Sequence, residues 1–321
     1  MNLKLPRQSF ALLPTPIGEL ARLSRHLSGP QIFIKRDDLT GLGGGGNKVR
    51  KLEFLVADAL SKQADTLITM GAVQSNHCRQ TAAAAAKTGL RCILVLRGHP
   101  PADATGNVLL DRILGADIRW SRDRTREEVM DEVVSAEVAA GRNPYPIPLG
   151  GSTPLGALGF AMAIKELMEQ TAVKFDRIVF ASSSGGTHAG LAAGAHATGF
   201  RGEVLGISVD EELDSLQRMV AGIASGTAQL LGCPHEFSPA EIHANADYLG
   251  AGYAVMGPPE REAIELFARR EGLILDPVYT GRAAAGMIDL IRRGTIGKDE
   301  RVLFWHTGGT PALYAYARQL I

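Results

Sequence analysis

The sequence predicts an α/β protein of two lobes, each a mostly parallel sheet flanked by helices. Short apolar runs alternate with longer stretches of helical period along the whole chain, which is the pattern of a parallel sheet covered on both faces. The 321 residues exceed what one ordinary compact core uses. Gly150–Ser152, followed by Pro154 and Gly156, interrupts both helix and strand in mid-chain. With a second break at Gly41–Gly46, these signals give a smaller lobe, residues 53–158, inserted into a larger one made of residues 1–52 and 159–321.

In chain order, the apolar run Gln31–Lys35 predicts a strand and Lys51–Lys62 a helix. Thr66–Met70 reads as a strand and the alanine-rich Arg79–Thr88 as its helix, followed by strands at Arg91–Leu96 and Asp117–Trp120. Helices are expected at Arg126–Ala140 and Leu155–Glu169, then a strand at Arg177–Ala181, a helix of small residues at His188–Thr198 and a strand at Glu203–Ser208. Pro259–Arg270 and Arg282–Arg292 read as helices, Arg301–Trp305 as a strand and Pro311–Gln319 as a last helix.

Composition narrows the partners. The 34 basic residues balance 34 acidic ones, so no net field draws nucleic acid or anionic lipid, and small zwitterionic ligands fit best. Cys78, Cys92 and Cys233 are scattered and form no C-x-x-C, which argues against a disulfide framework and a structural zinc, and for a reducing cytoplasm. The start, MNLKLPRQSF, lacks the apolar core of a signal peptide, and no window approaches the ~18 apolar residues of a membrane span.

Three segments carry chemistry. Gly41, Gly43 and Gly46 formally satisfy G-x-G-x-x-G, but polar residues separate them from the preceding strand, and Asp65 precedes the next strand rather than closing it, unlike a dinucleotide site. Asn47 before Lys48 excludes the ending of a phosphate-binding P-loop. What remains is a lysine at a helix start beside glycines that allow close backbone approach. A partly desolvated lysine can lose its proton and attack an aldehyde, whereas in the bland alternative Lys48, Arg50 and Lys51 form a solvated basic face.

The second segment, Gln74-Ser75-Asn76-His77, follows a strand and opens the alanine-rich helix. Ser75 and Asn76 fall at N-cap positions, and free N–H groups there can hold a carboxylate. The third, Ser182-Ser183-Ser184-Gly185-Gly186-Thr187-His188, leads from an apolar strand into a helix. Its backbone N–H groups, helix dipole and the hydroxyls of Ser184 and Thr187 make a cradle for phosphate, or simply a glycine-rich turn.

Together GGNKVRKLEF, QSNHCRQTAA, SGGTHAGL, LDPVYTG and HTGGTPAL, in this order from Gly45 to Leu313, resemble the family that contains D-cysteine desulfhydrase and 1-aminocyclopropane-1-carboxylate deaminase. The resemblance implies the tryptophan-synthase-β-like fold, type II of the enzymes that use pyridoxal 5′-phosphate, and usually a homodimer. It implies that Lys48 holds the cofactor as a Schiff base and that Asn76 bonds the ring hydroxyl. Ser75, Asn76 and His77 then receive the substrate carboxylate, with Ser75 a candidate proton shuttle. Ser184, Gly185, Gly186 and Thr187 match the phosphate cup, and Tyr253 and Tyr279 the tyrosines that flank the substrate, although Tyr253 could equally be a loop aromatic packed between the lobes.

In the cyclopropane deaminases a glutamate follows the second tyrosine and keeps the pyridine nitrogen protonated. Here that position is Thr280, and Thr307 is available to face the nitrogen. A hydroxyl stabilises a pyridinium less than a carboxylate does, so the weaker electron sink suits a sulfur leaving group better than opening of a cyclopropane. The expected activity is therefore conversion of D-cysteine to pyruvate, hydrogen sulfide and ammonia. Alternatives are an L-cysteate sulfo-lyase, a cyclopropane deaminase, a ligand-binding protein without catalysis, and, resting on the glycine run alone, an NAD-dependent oxidoreductase.

Overall fold

The computed structural model describes residues 5–320. The strands are β1 (Ile17–Glu19), β2 (Gln31–Arg36), β3 (Thr66–Gly71), β4 (Arg91–Leu96), β5 (Asp117–Trp120), β6 (Pro144–Ile147), β7 (Arg177–Ser182), β8 (Glu203–Ser208), β9 (Ala244–Asn245) and β10 (Arg301–His306). They form a six-stranded sheet in the order β1-β2-β10-β7-β8-β9 and a four-stranded sheet in the order β5-β4-β3-β6. Every pairing is parallel except β1 with β2. This is the type II, tryptophan-synthase-β-like architecture expected from the sequence.

Each strand expected from an apolar run is present. The three additional strands have local reasons for being hard to read. β6 reads Pro-Tyr-Pro-Ile, and a proline offers no N–H to a ladder, but β6 lies at a sheet edge, where proline is tolerated. β1 and β9 are very short. The helix Leu213–Leu230 contains Gly222 and Gly226, which weaken the helical signal; a Cβ on Gly226 would lie 2.7 Å from Pro154 Cγ, so its absence lets two helices approach. The expected last helix is broken into Thr310–Leu313, a 3₁₀ turn at Tyr314–Tyr316, and Ala317–Leu320.

Two helices tie the sheets together. The helix Lys48–Ser61 runs unbroken through position 52, and Pro154–Gln170 through position 158, so both lobe boundaries drawn from sequence fall inside helices. The punctuating residues sit instead at the helix N-termini, where glycine and proline are accommodated. Leu52, Leu55 and Val56 join the core of the smaller sheet with Leu67 and Leu94. Phe160, Ile164 and Leu167 pack against β7 and β10 residues in the larger one. Among the described residues no helix is long and apolar enough to cross a membrane.

Candidate active site

Carboxyl ends of parallel strands are where α/β sheets place ligands. The residues just beyond β3 (Ser75–His77), β4 (Arg97), β7 (Ser183–Thr187), β8 (Asp210) and β10 (Thr307, Gly308) all line one cavity of about 340 Å³. Asn47, Lys48, Lys51, Gly150, Tyr253 and Tyr279 are also in its wall. Every site residue proposed from sequence lines this cavity except Gly186, which lies behind it: an added Cβ there would stand 2.7 Å from Ser152 Oγ and 2.8 Å from Lys51 Nζ.

Lys48 opens its helix and faces the cavity, where its Nζ donates to Asn47 Oδ1 at 3.1 Å. Removal from bulk water lowers its pKa to about 8; Arg79 adds to the drop, and Asp276 partly offsets it. At pH 7 roughly a tenth of such an amine is neutral, some 300-fold more than at the ordinary lysine value of 10.5. Asn47 in turn donates from Nδ2 to Thr187 Oγ1 at 2.9 Å, linking the lysine to the third segment.

A solvated basic face is excluded, because Arg50 and Lys51 are both about 1% exposed. Lys51, not singled out from sequence, donates from Nζ to Gly150 O (3.1 Å) and Ser152 Oγ (3.2 Å). Burial, then Lys48, pushes its pKa well down, as expected of an amine held without a counter-charge that an arriving anion would supply. Ser152 Oγ meets Ser184 Oγ at 2.8 Å and accepts from Gly186 N–H at 3.1 Å. The turn is left-handed at Gly185 (φ 77°) and at Gly150 (φ 66°), so side chains there would strain it. Helix Gly186–Thr198 starts at this point, adding the positive end of its dipole.

Ser75 caps helix Asn76–Thr88, its Oγ accepting from Cys78 N–H at 3.1 Å, while its own O–H stays available. The N–H groups of Asn76 and His77, first in the helix, have no intrahelical acceptor. Asn76 Oδ1 accepts from Asn107 Nδ2 at 2.9 Å, leaving its amide N–H₂ as the end that can donate into the cavity. Thr69 donates its hydroxyl to Ile147 O (2.8 Å), so at its 2.9 Å contact with His77 Nε2 it must accept. Nδ1 of His77 is then a buried lone pair without a partner, and burial keeps the ring neutral. This side chain offers a carboxylate no proton, so His77 can receive one through its backbone N–H only.

Opposite these groups, Tyr253 and Tyr279 share a 2.6 Å hydrogen bond. Burial raises both pKa values, that of Tyr253 to about 12, so both act as proton donors near neutrality. Asp276 shapes the Tyr279 turn by accepting from the N–H groups of Val278, Tyr279 and Thr280 at 2.9 Å each, and from Thr280 Oγ1 at 2.7 Å. Arg282 holds the Tyr253 loop by donating to Gly252 O (3.1 Å) and Val255 O (2.8 Å). Thr280 is thus turned away from the cavity, while Thr307 lines it.

The glycine run is not a nucleotide loop. Arg79 donates to the carbonyls of Gly43 and, at 3.0 Å, Gly45, so the loop is fastened to the helix Asn76–Thr88. A model of the family described as pyridoxal-phosphate dependent enzyme matches residues 9–308. The chain belongs to that family.

Over 98% of its length the enzyme is 44% identical to a D-cysteine desulfhydrase of Klebsiella pneumoniae, 97% of which is covered. It is 42% identical to a 1-aminocyclopropane-1-carboxylate deaminase of Burkholderia vietnamiensis, over 99% of this chain and 98% of the relative. A solved structure of an ACC deaminase homologue superposes with a TM-score of 0.91 at 42% identity, covering 99% of this chain and 96% of the other. The enzyme is a lyase dependent on pyridoxal 5′-phosphate, and its residues fit that group: a desolvated lysine amine for the aldehyde, and a turn at a helix N-terminus beside a buried lysine amine without a counter-charge for the phosphate.

Proposed function

We propose that this lyase eliminates a sulfur leaving group from the β-carbon of a small amino acid, with D-cysteine as substrate and pyruvate, hydrogen sulfide and ammonia as products. When bound, pyridoxal phosphate supplies the electron sink that makes the α-proton acidic. Lys48 would hold it through the amine. Ser184, Gly185, Gly186 and Thr187, backed by Lys51, would hold its phosphate, Asn76 its ring hydroxyl, and Thr307 would face its ring nitrogen. The N–H groups of Asn76 and His77 and the Ser75 hydroxyl form the place for the substrate carboxylate. In the Tyr253–Tyr279 pair one O–H is used internally and the other stays free to donate toward the substrate. Lys48, Ser75 and this pair are the candidates for moving protons.

The observation that carries the choice of substrate is the hydroxyl at position 280. It is spent on Asp276 at 2.7 Å, and Thr307 offers the nitrogen a hydroxyl rather than a carboxylate. Each ~1.4 kcal/mol of lost carbanion stabilisation slows the step about tenfold. Expelling a thiolate, whose conjugate acid has a pKa of about 8.5, tolerates such a loss better than breaking a carbon–carbon bond.

Two measurements test the reading. Borohydride reduction of the purified holoenzyme followed by peptide mapping is expected to find the coenzyme on Lys48. Side-by-side assays with D-cysteine, L-cysteate and 1-aminocyclopropane-1-carboxylate are expected to show the fastest turnover with D-cysteine; fastest turnover of cysteate or of the cyclopropane would reject the choice. We also propose a cytoplasmic homodimer, supported by three free cysteines and by the exposed apolar pair Leu109 and Ile113 one helical turn apart. Sedimentation at the mass of one 34.1 kDa chain would contradict the dimer.

A further inference from the structure

Asn76 can face a bound ring in two ways. Its carboxamide has an accepting oxygen at one end and a donating N–H₂ at the other, and a half-turn about its last bond exchanges them. Toward an ionised ring hydroxyl only the N–H₂ end attracts, whereas the oxygen end sets one negative group against another. The orientation of this side chain is therefore part of the site.

That orientation is dictated from outside the cavity. Asn107, the second residue of helix Gly106–Ile113, is fully buried. Its Oδ1 accepts from Arg79 Nε at 2.7 Å, and its Nδ2 donates to Gln74 O and to Asn76 Oδ1, each at 2.9 Å. A guanidinium N–H can only donate and a backbone carbonyl can only accept. Both neighbours thus fix the same orientation of the Asn107 amide. Its remaining hydrogen needs an acceptor, so Asn76 must turn its oxygen inward and its N–H₂ toward the cavity. Arg79 is itself tied down, donating to the carbonyls of Gly43 and, at 3.0 Å, Gly45. A one-way series of donors runs from a cation that never accepts, through Asn107, to Asn76.

The start of the helix is shaped for this contact. Gln74 Oε1 accepts from Asn107 N–H at 2.7 Å, and Gln74 Nε2 donates to Thr105 O at 3.1 Å. Between these two bonds lies Gly106, left-handed at φ 57°, where an added Cβ would stand 2.5 Å from Gln74 Oε1 and 2.8 Å from Pro311 O. Glycine lets Gln74 close on the helix end and bring Asn107 to Asn76.

We propose that Asn107 is a positioning residue for the coenzyme: by holding the Asn76 N–H₂ toward the cavity, it favours the ionised form of the ring hydroxyl. The assignment rests on the placement of that hydroxyl at Asn76 in the functional reading above.

The test uses Asn107→Asp, Asn76→Ala and the double variant. Asp at 107 keeps an oxygen for Arg79 and puts a negative charge in the first turn of a helix, where the macrodipole favours it, so the apoprotein should unfold in urea close to wild type. Its second oxygen cannot donate to Asn76, which must turn its N–H₂ inward and leave its oxygen toward the cavity. Affinity for pyridoxal phosphate, read by fluorescence titration of the apoprotein, should fall roughly 10–100-fold. The absorption of the holoprotein should shift from the visible band of the ionised hydroxyl toward the shorter-wavelength band of the neutral one. Asn76→Ala should move both readouts in the same direction, and adding Asn107→Asp to it should change them less than about twofold, because Asn107 acts through Asn76. A loss that came from the fold would instead appear in full in both backgrounds, and would overturn the positioning role even if the unfolding midpoint fell. So would an Asn107→Asp protein that binds and absorbs as wild type while Asn76→Ala does not. If Asn76→Ala itself changes neither readout, the ring hydroxyl is not at Asn76, and the placement of the coenzyme falls together with what rests on it.

Discussion

Arg50 and Lys51 are neighbours in the chain and equally buried, yet one is saturated with carboxylates and the other meets none. Arg50 donates to Asp37 at 2.8 Å twice and to Glu166 at 2.8 and 3.0 Å. Lys35 joins them through Glu166 at 2.6 Å and Thr15 O at 2.7 Å, so two buried cations face the buried Asp37 and the partly buried Glu166. Lys51 has a carbonyl and a hydroxyl, and Lys48, also in the cavity wall, has one amide oxygen. The first group is a closed network that fastens the helix Lys48–Ser61 to Pro154–Gln170. The second is short of negative charge, which a phosphate dianion would supply. Burial does not separate structural from functional cations here; the presence of a counter-charge does.

The largest effect should come from breaking the closed network. Glu166→Ala leaves Lys35 and Arg50 short of a partner and is expected to cost about 3–5 kcal/mol in urea unfolding. Burial alone would raise the pKa of Glu166, but hydrogen bonds and charge from Arg50, then Lys35, bring it down to about 2. A carboxylate depressed in the folded state contributes stability above its unfolded value, 4.5, and loses it as pH falls toward 2. The wild-type protein should therefore lose stability over that window faster than the variant. Parallel acid titrations of the two would contradict the network.

Much of the fold was legible because buried parallel strands are nearly continuous apolar runs, as in Arg177–Ser182 and Arg301–His306. Legibility failed where edge position excuses prolines, as in Pro144–Ile147, or where close packing demands glycine, as at Gly226. In the site, Lys48, Ser75, Asn76 and the turn at Ser184–Thr187 stood out because each follows a strand or opens a helix. Lys51, Asn47 and Ser152 did not, since their meaning lies in contacts with residues up to 140 positions away. In the sequence Gly150–Ser152 is punctuation alone, and its place against Ser184 and Lys51 comes from tertiary structure.

A smaller effect of the opposite kind is expected at the open cations. Lys51→Met removes a buried charge that lacks a counter-ion, so the apoprotein should be no less stable in urea than wild type. Affinity for pyridoxal phosphate should fall roughly 10–100-fold, the worth of one charge-assisted hydrogen bond. Fluorescence titration of the apoprotein reads the affinity. If Lys51→Met instead destabilised the apoprotein as Glu166→Ala does, Lys51 would be structural and the contrast between the two groups would be lost.

The smallest effect separates the two groups by pH. The Lys48 amine must be neutral to attack an aldehyde, and in the folded protein its pKa is lowered to about 8. The rate at which apoprotein takes up pyridoxal phosphate should therefore rise with pH, about tenfold between pH 7 and 9, and level off above. Glu166, already ionised well below this range, contributes no step there. The folded state binds fewer protons at Lys48 than the unfolded chain does between about 8 and 10.5, so apoprotein stability should climb across the same interval. An uptake rate that stayed flat to pH 9 and rose only near 10.5 would mean that Lys48 is fully hydrated, and the cavity would then lack the desolvated amine on which its assignment depends.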